Sequence, residues 1–545
     1  MFHLSANVKK DRSMSFPIES LPPRVRIYDT TLRDGNQGVG INFSLNDKLK
    51  ISRQLDAVGV DYIEGGWPNP TNLSEGRYFD LVKRDSLKAK VSAFGMTRRV
   101  GISPDKDENL RALIKANTDY VTLFGKSWTF QVDRVLEVSR EENLRMIRES
   151  VQFLKGKGRH VIYDAEHFFD GFKADSSYSM STISMAEQAG AEELVLCDTR
   201  GGSLPNEIYH IMSEVSSQTS LPLGIHAHND RGLAVANSLF AVGAGATHAQ
   251  GTINGIGERC GNADLIQIAS NLALMGVNTG VDISKLTRLA RFVAEVANMK
   301  QDEHDPFVGV SAFAHKGGIH GHAVGKTPEA YEFASPTIFG NTRRVPVSSQ
   351  AGRASVHTLG NELGFKLSRS DPAVLKILKS IKELEAEGYH LENANGSLTL
   401  IYAQALQKKI SFFRIVDWSV FVSESSGRTL TQSVVKLHVG REDIFAAAEG
   451  NGPVNALDKA LRDALSSGYP EVSEIKLTGY RVKEIDTESG TAAKVGVYAD
   501  FSHRNENWTT VGVSMNILSA SKLALVDGYR YFMFKLVSRR RISSA

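Results

Sequence analysis

The sequence predicts an α/β protein in which a (β/α)8 TIM barrel precedes a helical linker region and an α+β C-terminal domain built from two βββα units. From residue 24 to about residue 281, eight short β-branched runs alternate with longer amphipathic stretches, a pattern that over roughly 250 residues is typical of the barrel. The turn after the first run reads Asp-Thr-Thr-Leu-Arg-Asp-Gly, whereas a doubly wound sheet favours a glycine-rich turn there. After residue 410, a pattern of three strands and one helix occurs twice, which indicates an internal repeat.

The predicted barrel strands are short runs rich in β-branched and aromatic residues. They are Val25–Tyr28, Tyr62–Glu64, Ala89–Phe94, Tyr120–Phe124, His160–Asp164, Glu193–Cys197, Leu223–Ala227 and Thr247–Thr252. Between them, apolar residues recur at three- and four-residue spacing, as in the predicted helices Asp47–Val58 and Met180–Ala189.

The linker and the C-terminal repeat follow from the same patterns. The linker contains the helical run Pro372–Gly388. The first repeat unit is predicted as strands Ser411–Val422, Gln432–Val439 and Asp443–Glu449, then the helix Pro453–Ser467. The second is predicted as strands Glu474–Asp486, Ala492–Phe501 and Asn507–Ser514, then a helix from Ile517 to about Tyr531. We therefore predict a tail at residues 1–23, the barrel at 24–284, the linker and lid at 285–410, and one C-terminal domain at 411–545.

Composition narrows the classes of function. The chain has 545 residues, of which 41% are hydrophobic, enough for several domains with large cores. The 64 lysines and arginines nearly balance the 61 acidic residues, so no charge pattern points to nucleic acid or an anionic membrane as a partner. The sequence has no run of about 18 uncharged apolar residues, which argues against a membrane-spanning helix. The first residues have no apolar signal segment, and Cys197 and Cys260 are too few for a disulfide framework, so we expect a cytoplasmic protein.

Polar residues stand at the carboxyl ends of nearly all the predicted barrel strands. Active sites in such barrels lie at that end, so these residues predict one shared site. They are Asp29, Arg33, Asp34, Glu64, Thr97, Arg98, Asp164, Glu166, His167, Asp198, Thr199, His226, His228, Asn229, Asp230 and the segment from Asn254 to Asn262.

His226 and His228 are the sharpest candidates for a metal site. Alternation along a strand places residues two apart on the same face, so both imidazoles can reach one point. Two imidazoles and a carboxylate, such as that of Asp34, suit a divalent transition metal. A bare His-x-His pair is often only a polar loop, but its place at a barrel strand end favours metal binding. His210, His248 and His304 lack that setting and are expected to be surface or packed residues.

Other strand-end residues leave two interpretations open. Arg33 suits stabilisation of an oxyanion on the substrate, or else a plain ion pair with Asp34. Glu166 suits proton transfer or a structural ion pair, and Thr199 suits binding of a substrate carboxylate or simply ends its strand. The backbone at Gly255 and Gly257, with Gly261, would let amides approach a phosphate-bearing ligand, although glycine-rich turns are common.

His315 and His320 lie in a glycine-containing loop outside the predicted barrel. Such a loop can cover a site and supply an acid or base on closure. From the residues alone, a structural turn with solvated histidines is the preferred interpretation.

Four motifs together resemble a known family. They are Asp29-Thr-Thr-Leu-Arg-Asp-Gly-Asn-Gln37, Ile225-His-Ala-His-Asn-Asp230, Gly251-Thr-Ile-Asn-Gly-Ile-Gly-Glu-Arg-Cys-Gly-Asn262 and the segment from Ala312 to His320. Occurring in this order along the chain, the four motifs are similar to those of the acyl-CoA Claisen condensing enzymes of the DRE-TIM metallolyase superfamily. That group includes 2-isopropylmalate, homocitrate and citramalate synthases. The resemblance runs from about residue 24 onward, and the C-terminal repeat is similar to the amino-acid-sensing regulatory domain of that family.

Within this family, two segments most resemble bacterial citramalate synthases. They are Tyr62-Ile-Glu-Gly-Gly-Trp-Pro68 and Ile162-Tyr-Asp-Ala-Glu-His-Phe-Phe-Asp-Gly-Phe-Lys173. Isopropylmalate and homocitrate synthases usually carry Ser-x-Glu-Asp-x-x-Arg after the fifth strand, and here His167 and Asp170 replace the Asp and the Arg of that motif. This departure favours a small 2-oxoacid such as pyruvate, with Phe168, Phe169 and Phe172 as candidates for narrowing the pocket.

The resemblance implies a division of roles. Asp34, His226, His228 and Asn262 match the metal positions, for Mn, Mg, Zn or Co, and Arg33 matches the residue that stabilises negative charge on the reacting oxygen. Glu166 and His320 match acid/base positions, and His320 would be supplied across a dimer interface. His315 is the second candidate for that histidine. Thr199 matches the position that binds the substrate carboxylate. Acetyl-CoA and pyruvate would give citramalate and CoA, and isoleucine would be the feedback ligand of the C-terminal domain. The alternatives are condensation with a larger 2-oxoacid and an inactive amino-acid sensor.

Overall fold

The structure is a computed structural model that describes residues 21–69, 73–316, 320, 323–324, 326–344, 352–368, 370–425, 427–485, 490, 492–504 and 506–543. The chain divides into two compact units, one of Met1–Phe313 with Ser335–Thr342 and one of Ala314–Ala334 with Arg343–Ala545. Residues 1–20 of the predicted tail lie outside the described residues. No helix within the described ranges is both long enough and apolar enough to cross a membrane.

The first unit contains the predicted barrel, and the structure confirms it. Eight parallel strands close in the order β1 to β8. They are β1 Arg26–Asp29, β2 Tyr62–Gly66, β3 Lys90–Met96, β4 Tyr120–Lys126, β5 His160–Glu166, β6 Glu193–Asp198, β7 Leu223–Ala227 and β8 His248–Gly251. Several strands run past their predicted ends into polar residues, as β4 does to Lys126 and β5 does to Glu166, because the backbone ladder continues after the side chains stop being apolar.

Helices follow the strands around the barrel. They are Leu45–Val58, Leu73–Val82, Glu108–Ala116, Arg140–Gly156, Phe168–Ala174, Ser176–Gln188, Pro205–Ser216, Ala234–Gly243, Leu265–Leu274 and Leu286–Val296, with a short turn at Thr129–Gln131. The first begins two residues before the predicted start because Ser44 and Asp47 form a reciprocal capping box. It ends at Gly59, whose φ of 96° is a left-handed conformation that glycine adopts without strain.

The barrel interior carries polar side chains as well as an apolar cluster. Tyr28, Tyr62, Ile162, Val195 and Cys197 form that cluster. His248, which the sequence left as either a surface or a packed residue, is packed. Its side chain is fully buried, and its Nδ1 lies 2.6 Å from Glu193 Oε2. The contact with Glu193 offsets part of the cost of burying the ring, whose Nε2 has no hydrogen-bond partner in the described residues.

The second unit contains the predicted repeat, and both βββα units are present. Its strands are β9 Phe413–Ser425, β10 Arg428–Val439, β11 Glu442–Gly450, β12 Lys476–Glu484, β13 Val495–His503 and β14 Glu506–Ser514. They form two three-stranded antiparallel sheets in the orders β11-β10-β9 and β12-β13-β14. The helix Pro453–Ser466 packs on the first sheet and the helix Ile517–Ser543 on the second, burying Leu461 and Trp508 in one apolar core.

Three helices of the predicted linker also lie in this unit. They are Arg353–Glu362, Pro372–Ala386 and Asn395–Ala405. Tyr402 is buried in a cluster that also contains Val511 of β14, so these helices pack against the second sheet. The final helix continues beyond the predicted Tyr531 because the residues that follow are largely good helix formers.

Candidate active site

A cavity of about 190 Å³ opens at the carboxyl ends of the barrel strands. The structure brings to it seven of the strand-end residues predicted from the sequence and two residues of the loop after β8, because parallel strands direct their carboxyl ends to one side. The lining residues are Arg33, Asp34, Gln37, Trp67, Phe94, Phe124, Asp164, Glu166, Cys197, Thr199, His226, His228, Glu258 and Arg259. Asn262 lies next to this wall, in hydrogen-bond contact with Asp34.

Asp34, His226 and His228 converge on one point. His226 Nε2 lies 3.4 Å from His228 Nε2, and Asp34 Oδ2 lies 3.7 Å from the first and 3.9 Å from the second. Within the described part of the chain, no other group of three His, Cys, Asp or Glu side chains comes this close together. All three side chains are buried, and His226 lies on β7 while His228 directly follows the strand, two residues on and therefore on the same face.

The charges of these groups suit a divalent cation. Burial lowers the pKa of His226 to about 3, with a further contribution from His228, so its ring is neutral at physiological pH. Burial also lowers the pKa of His228. Burial opposes the charge of Asp34, yet the Arg33 guanidinium beside it holds its pKa below the usual value. Two neutral imidazoles and an ionised carboxylate are ligands that a transition metal prefers.

Asn262 supplies a fourth polar group at the cluster. Its Nδ2 donates to Asp34 Oδ1 at 3.0 Å and to the Ile256 carbonyl oxygen at 3.1 Å. Its Oδ1 is buried and has no hydrogen-bond partner in the described residues. An unpaired buried oxygen is costly without a ligand, so this side chain fits a metal as an additional oxygen donor.

Arg33 is held on three sides. Its Nε donates to Glu64 Oε1 at 2.5 Å and its Nη1 to Asp34 Oδ2 at 2.7 Å, and its guanidinium carbon lies 3.8 Å from the centre of the Phe94 ring. Burial opposes the charge, but Glu64 and Asp34 keep the pKa of Arg33 above its usual value. The result is a fixed cation beside the cluster, ready to meet a developing negative charge.

Glu64 contacts Arg33 at the candidate site, although the sequence interpretation noted it only as a polar strand end. It is fully buried at the end of β2, and its second oxygen accepts a hydrogen bond from the Tyr28 hydroxyl at 2.6 Å. Thr30 Oγ1 donates to the oxygen that also binds Arg33. The available signal was its place at a strand end, but the pairing with Arg33 depends on two strands meeting in space.

Glu166 and Thr199 reach the cavity from β5 and from the loop after β6. Glu166 forms an ion pair with Lys126, its cross-strand neighbour on β4. Thr199 Oγ1 accepts a hydrogen bond from the His167 backbone amide at 2.8 Å, which leaves the hydroxyl hydrogen available to a ligand.

Aromatic residues form the apolar part of the wall, but they are not the ones expected. Phe168 and Phe169 are fully buried in the helix that follows β5. Trp67 forms the cavity wall together with Phe94 and Phe124, and the Trp67 ring packs edge-on against the other two, with centroid separations of 5.8 Å and 5.5 Å. The aromatic part of the cavity wall therefore comes from the residue that follows β2 and from β3 and β4.

The glycines after β8 are required by the way the loop folds on itself. Gly255, Gly257 and Gly261 have φ values of 64°, 150° and 85°. A Cβ at position 257 would lie 2.2 Å from Asn262 Nδ2, and one at position 261 would lie 1.9 Å from the Gly255 carbonyl oxygen. This close packing places Asn262 beside Asp34. The binding of acetyl-CoA by Gly255 and Gly257 stays a prediction.

We expect Gly261→Ala to lower metal affinity at least about tenfold, since the loop must move and displace Asn262. Gly276→Ala is the matched control, because Gly276 has a φ of 83° and no atom within 4 Å of the added Cβ. Both variants carry the cost of a left-handed alanine, about 1 kcal/mol, and only the first carries the collision. Metal titration of both proteins, with thermal unfolding, checks this. Equal affinities in the two variants would contradict it.

The two histidines of the loop near residue 320 belong to the second unit. His315 Nε2 lies 3.1 Å from Glu332 Oε1, and Arg343 donates to the same carboxylate at 2.6 Å. The exposed His320 ring lies against the Tyr331 ring, with ring centres 4.4 Å apart and the planes tilted by 34°. His315 therefore has a structural partner, and the acid/base role of His320 stays a prediction.

Curated relatives match nearly the whole chain. The (R)-citramalate synthase of Geobacter sulfurreducens is 45% identical over 517 residues, covering 94% of this chain and 98% of the relative. The (R)-citramalate synthase of Aquifex aeolicus is 45% identical over 520 residues, with the same coverage of 94% and 98%. The chain belongs to the citramalate synthase family. The family resemblance drawn from the motifs is thereby confirmed.

More distant matches agree with this family. A probable 2-isopropylmalate synthase of Methanopyrus kandleri is 33% identical over 527 residues, covering 96% of this chain and all of the relative. The HMGL-like family model matches residues 24–293, the homocitrate synthase post-HMGL domain-like model residues 307–389, and the LeuA allosteric (dimerisation) domain model residues 392–533. The citramalate synthases thus share more of this sequence than the probable isopropylmalate synthase does.

Proposed function

We propose that this chain is an (R)-citramalate synthase, an acyltransferase that condenses acetyl-CoA with pyruvate and releases citramalate and CoA. The observation that carries the proposal is the convergence of Asp34, His226 and His228 beside the fixed cation of Arg33, in a chain 45% identical to citramalate synthases. Such a group suits chemistry in which a ketone is polarised and a negative charge then develops on its oxygen.

The metal site would consist of Asp34, His226 and His228, with Asn262 as the further oxygen donor. Manganese, magnesium, zinc and cobalt are the candidate ions, and the two imidazoles favour a transition metal among them. When bound there, the ion supplies Lewis-acid polarisation of the keto group of the 2-oxoacid. The residues around it orient the substrate: Thr199 donates its hydroxyl hydrogen to the oxoacid carboxylate.

Arg33 and Glu166 carry the charge and proton movements. A base removes a proton from the methyl group of acetyl-CoA, and the resulting enolate carbon forms a bond to the keto carbon of pyruvate, whose oxygen becomes negatively charged. Arg33 stabilises that oxygen until it takes up a proton. Water then cleaves the thioester, which gives the citramalate carboxylate and the CoA thiol. Glu166 is assigned to acid/base work at the cavity wall, with His320 as its partner from a second copy of the chain.

The size of the cavity supports a small oxoacid. Its volume of about 190 Å³ is shared with the enolate, and Trp67, Phe94 and Phe124 border it with rigid rings. 2-Oxoisovalerate carries a branched side chain in place of the pyruvate methyl, and each extra methylene that fails to fit costs about 1–3 kcal/mol.

We expect pyruvate to be turned over at least tenfold faster than 2-oxoisovalerate, measured as CoA thiol release from acetyl-CoA with each oxoacid in turn. Faster turnover of 2-oxoisovalerate would favour the isopropylmalate-type condensation instead. Thiol release with none of the oxoacids after metal addition, together with isoleucine binding, would favour the inactive sensor.

The remainder of the chain is assigned to regulation and assembly. We assign residues 24–284 to catalysis, 285–410 to the linker and lid, and 411–545 to a regulatory domain that forms a homodimer and binds isoleucine. The support is the match of the LeuA allosteric (dimerisation) domain model and the paired βββα units of the second core. Isoleucine is the end product expected for a pathway that begins from citramalate.

A further inference from the structure

Gln250 occupies a position between the histidine cluster and the far wall of the barrel. It is fully buried on β8, and the β7–β8 register places it directly beside His226. Its Oε1 lies 3.0 Å from His226 Nδ1, and its Nε2 donates to Asp164 Oδ1 at 3.2 Å. Asp164 belongs to β5, so this one side chain connects β7 to a strand on another side of the interior.

Binding of a metal ion at His226 Nε2 would determine which atom of each neighbouring group carries a hydrogen. His226 presents its Nε2 to Asp34 and His228, so a metal ion bound there would take the lone pair of Nε2, and the hydrogen of the neutral ring would then lie on Nδ1. The acceptor at that nitrogen is the amide oxygen of Gln250. The amide nitrogen of Gln250, Nε2, then faces Asp164 and donates to its Oδ1, which can accept whether or not the carboxyl group is protonated.

In the described residues, His226 has a hydrogen-bond partner at its Nδ1, whereas His228 Nδ1 is buried without one. The rotation of the His226 ring and its tautomer therefore depend on Gln250. The orientation of the Gln250 amide depends in turn on Asp164, since an unopposed amide can rotate and place its donor against Nδ1.

We propose that Gln250, with its amide orientation fixed by Asp164, is a positioning residue that keeps His226 Nε2 available to a metal ion. The inference rests on the metal site proposed above. It adds to that site a support that reaches across the barrel, from β8 to β5. Residues that hold the second nitrogen of a metal-binding histidine typically change metal affinity by 10–100-fold when they are removed.

The test is Co²⁺ titration of the full-length protein, followed by the visible absorption of the bound ion. We expect Gln250→Leu to weaken Co²⁺ binding about 10–100-fold and to alter the absorption bands, since His226 is free to rotate. Asp164→Leu should weaken binding in the wild-type background but cost nothing more in Gln250→Leu, because it acts only through that amide. Wild-type affinity in Gln250→Leu, or the same loss from Asp164→Leu in both backgrounds, would overturn the inference.

A double variant that exchanges the carboxylate and the amide of this pair distinguishes loss of positioning from misfolding. The double variant Gln250→Glu with Asp164→Asn puts a carboxylate against His226 Nδ1 and an amide donor against that carboxylate. We expect Co²⁺ affinity within about threefold of wild type, because carboxylate partners support metal-binding histidines well. A double variant that folds but binds as weakly as Gln250→Leu would contradict the proposal.

One more variant separates this inference from the proposed function. His228→Ala removes a predicted ligand directly. If wild type binds Co²⁺ and His228→Ala does not, the proposed metal site is supported. The Gln250 variants then test only whether Gln250 positions His226. If His228→Ala binds Co²⁺ as wild type does, the metal site and the Gln250 inference both fall.

Discussion

His228→Ala is expected to abolish metal binding and to lower kcat/KM for pyruvate about a thousandfold, while the barrel stays folded. His228 contributes one of the three converging ligand atoms, and its Nε2 lies 3.9 Å from Asp34 Oδ2. Loss of a Lewis acid removes several kcal/mol of transition-state stabilisation, and about 4 kcal/mol corresponds to a thousandfold. The side chain follows the end of β7 and belongs to the site, not to the apolar core, so little stability depends on it.

Metal content, thiol release and thermal unfolding of the purified variant check this expectation together. His210→Ala is the matched control, because His210 lies exposed on the helix Pro205–Ser216. It should keep full activity and metal content. Full activity of His228→Ala in a metal-stripped preparation would refute the assignment of His228 as a ligand.

Arg33→Lys should lower kcat about a hundredfold and leave metal affinity nearly unchanged. The charge is kept, but the geometry is not. The planar guanidinium of Arg33 binds Glu64 and Asp34 through separate nitrogens and stacks on the Phe94 ring, whereas a lysine ammonium has one nitrogen and no plane. Removing one well-placed donor to a developing oxyanion typically costs 10²–10³ in kcat. Since the effect falls on the transition state, kcat and kcat/KM should fall together.

Steady-state kinetics at saturating metal check this second expectation, with Co²⁺ titration alongside. Arg53→Lys serves as control, because Arg53 forms an exposed pair with Asp85 at 2.9 Å. A rise in KM for pyruvate with kcat unchanged would show that Arg33 only binds substrate. A parallel loss of metal would instead show that Arg33 acts by holding Asp34.

Much of the fold was predictable because local periodicity reports burial directly. β7 spans Leu223–Ala227 both in the prediction and in the structure. The ends of β4 and β5 were predicted too early, since the β-branched and aromatic runs stop at residues 124 and 164 whereas backbone pairing continues to Lys126 and Glu166. The start of the first helix was also predicted too late, because the prediction did not use Ser44 as its capping residue.

The candidate site was predictable in kind but not in its contacts. The residues at the strand ends were identified because every parallel barrel directs those ends to one face. The sequence pattern also led to an error of position, since Phe168 and Phe169 follow Glu166 closely in the chain but are buried in a helix away from the cavity. The aromatic wall comes instead from Trp67, which follows β2, and from Phe94 and Phe124 on β3 and β4.

By itself, the sequence determined the barrel, the repeat of the C-terminal domain and the family, because these follow from spacing along the chain and from contiguous motifs. Only the tertiary structure decided that Glu64 holds Arg33 and that Gln250 connects His226 to Asp164. The physical reason is that alternation tells which side chains point into a barrel, whereas strand tilt and closure decide which of them meet.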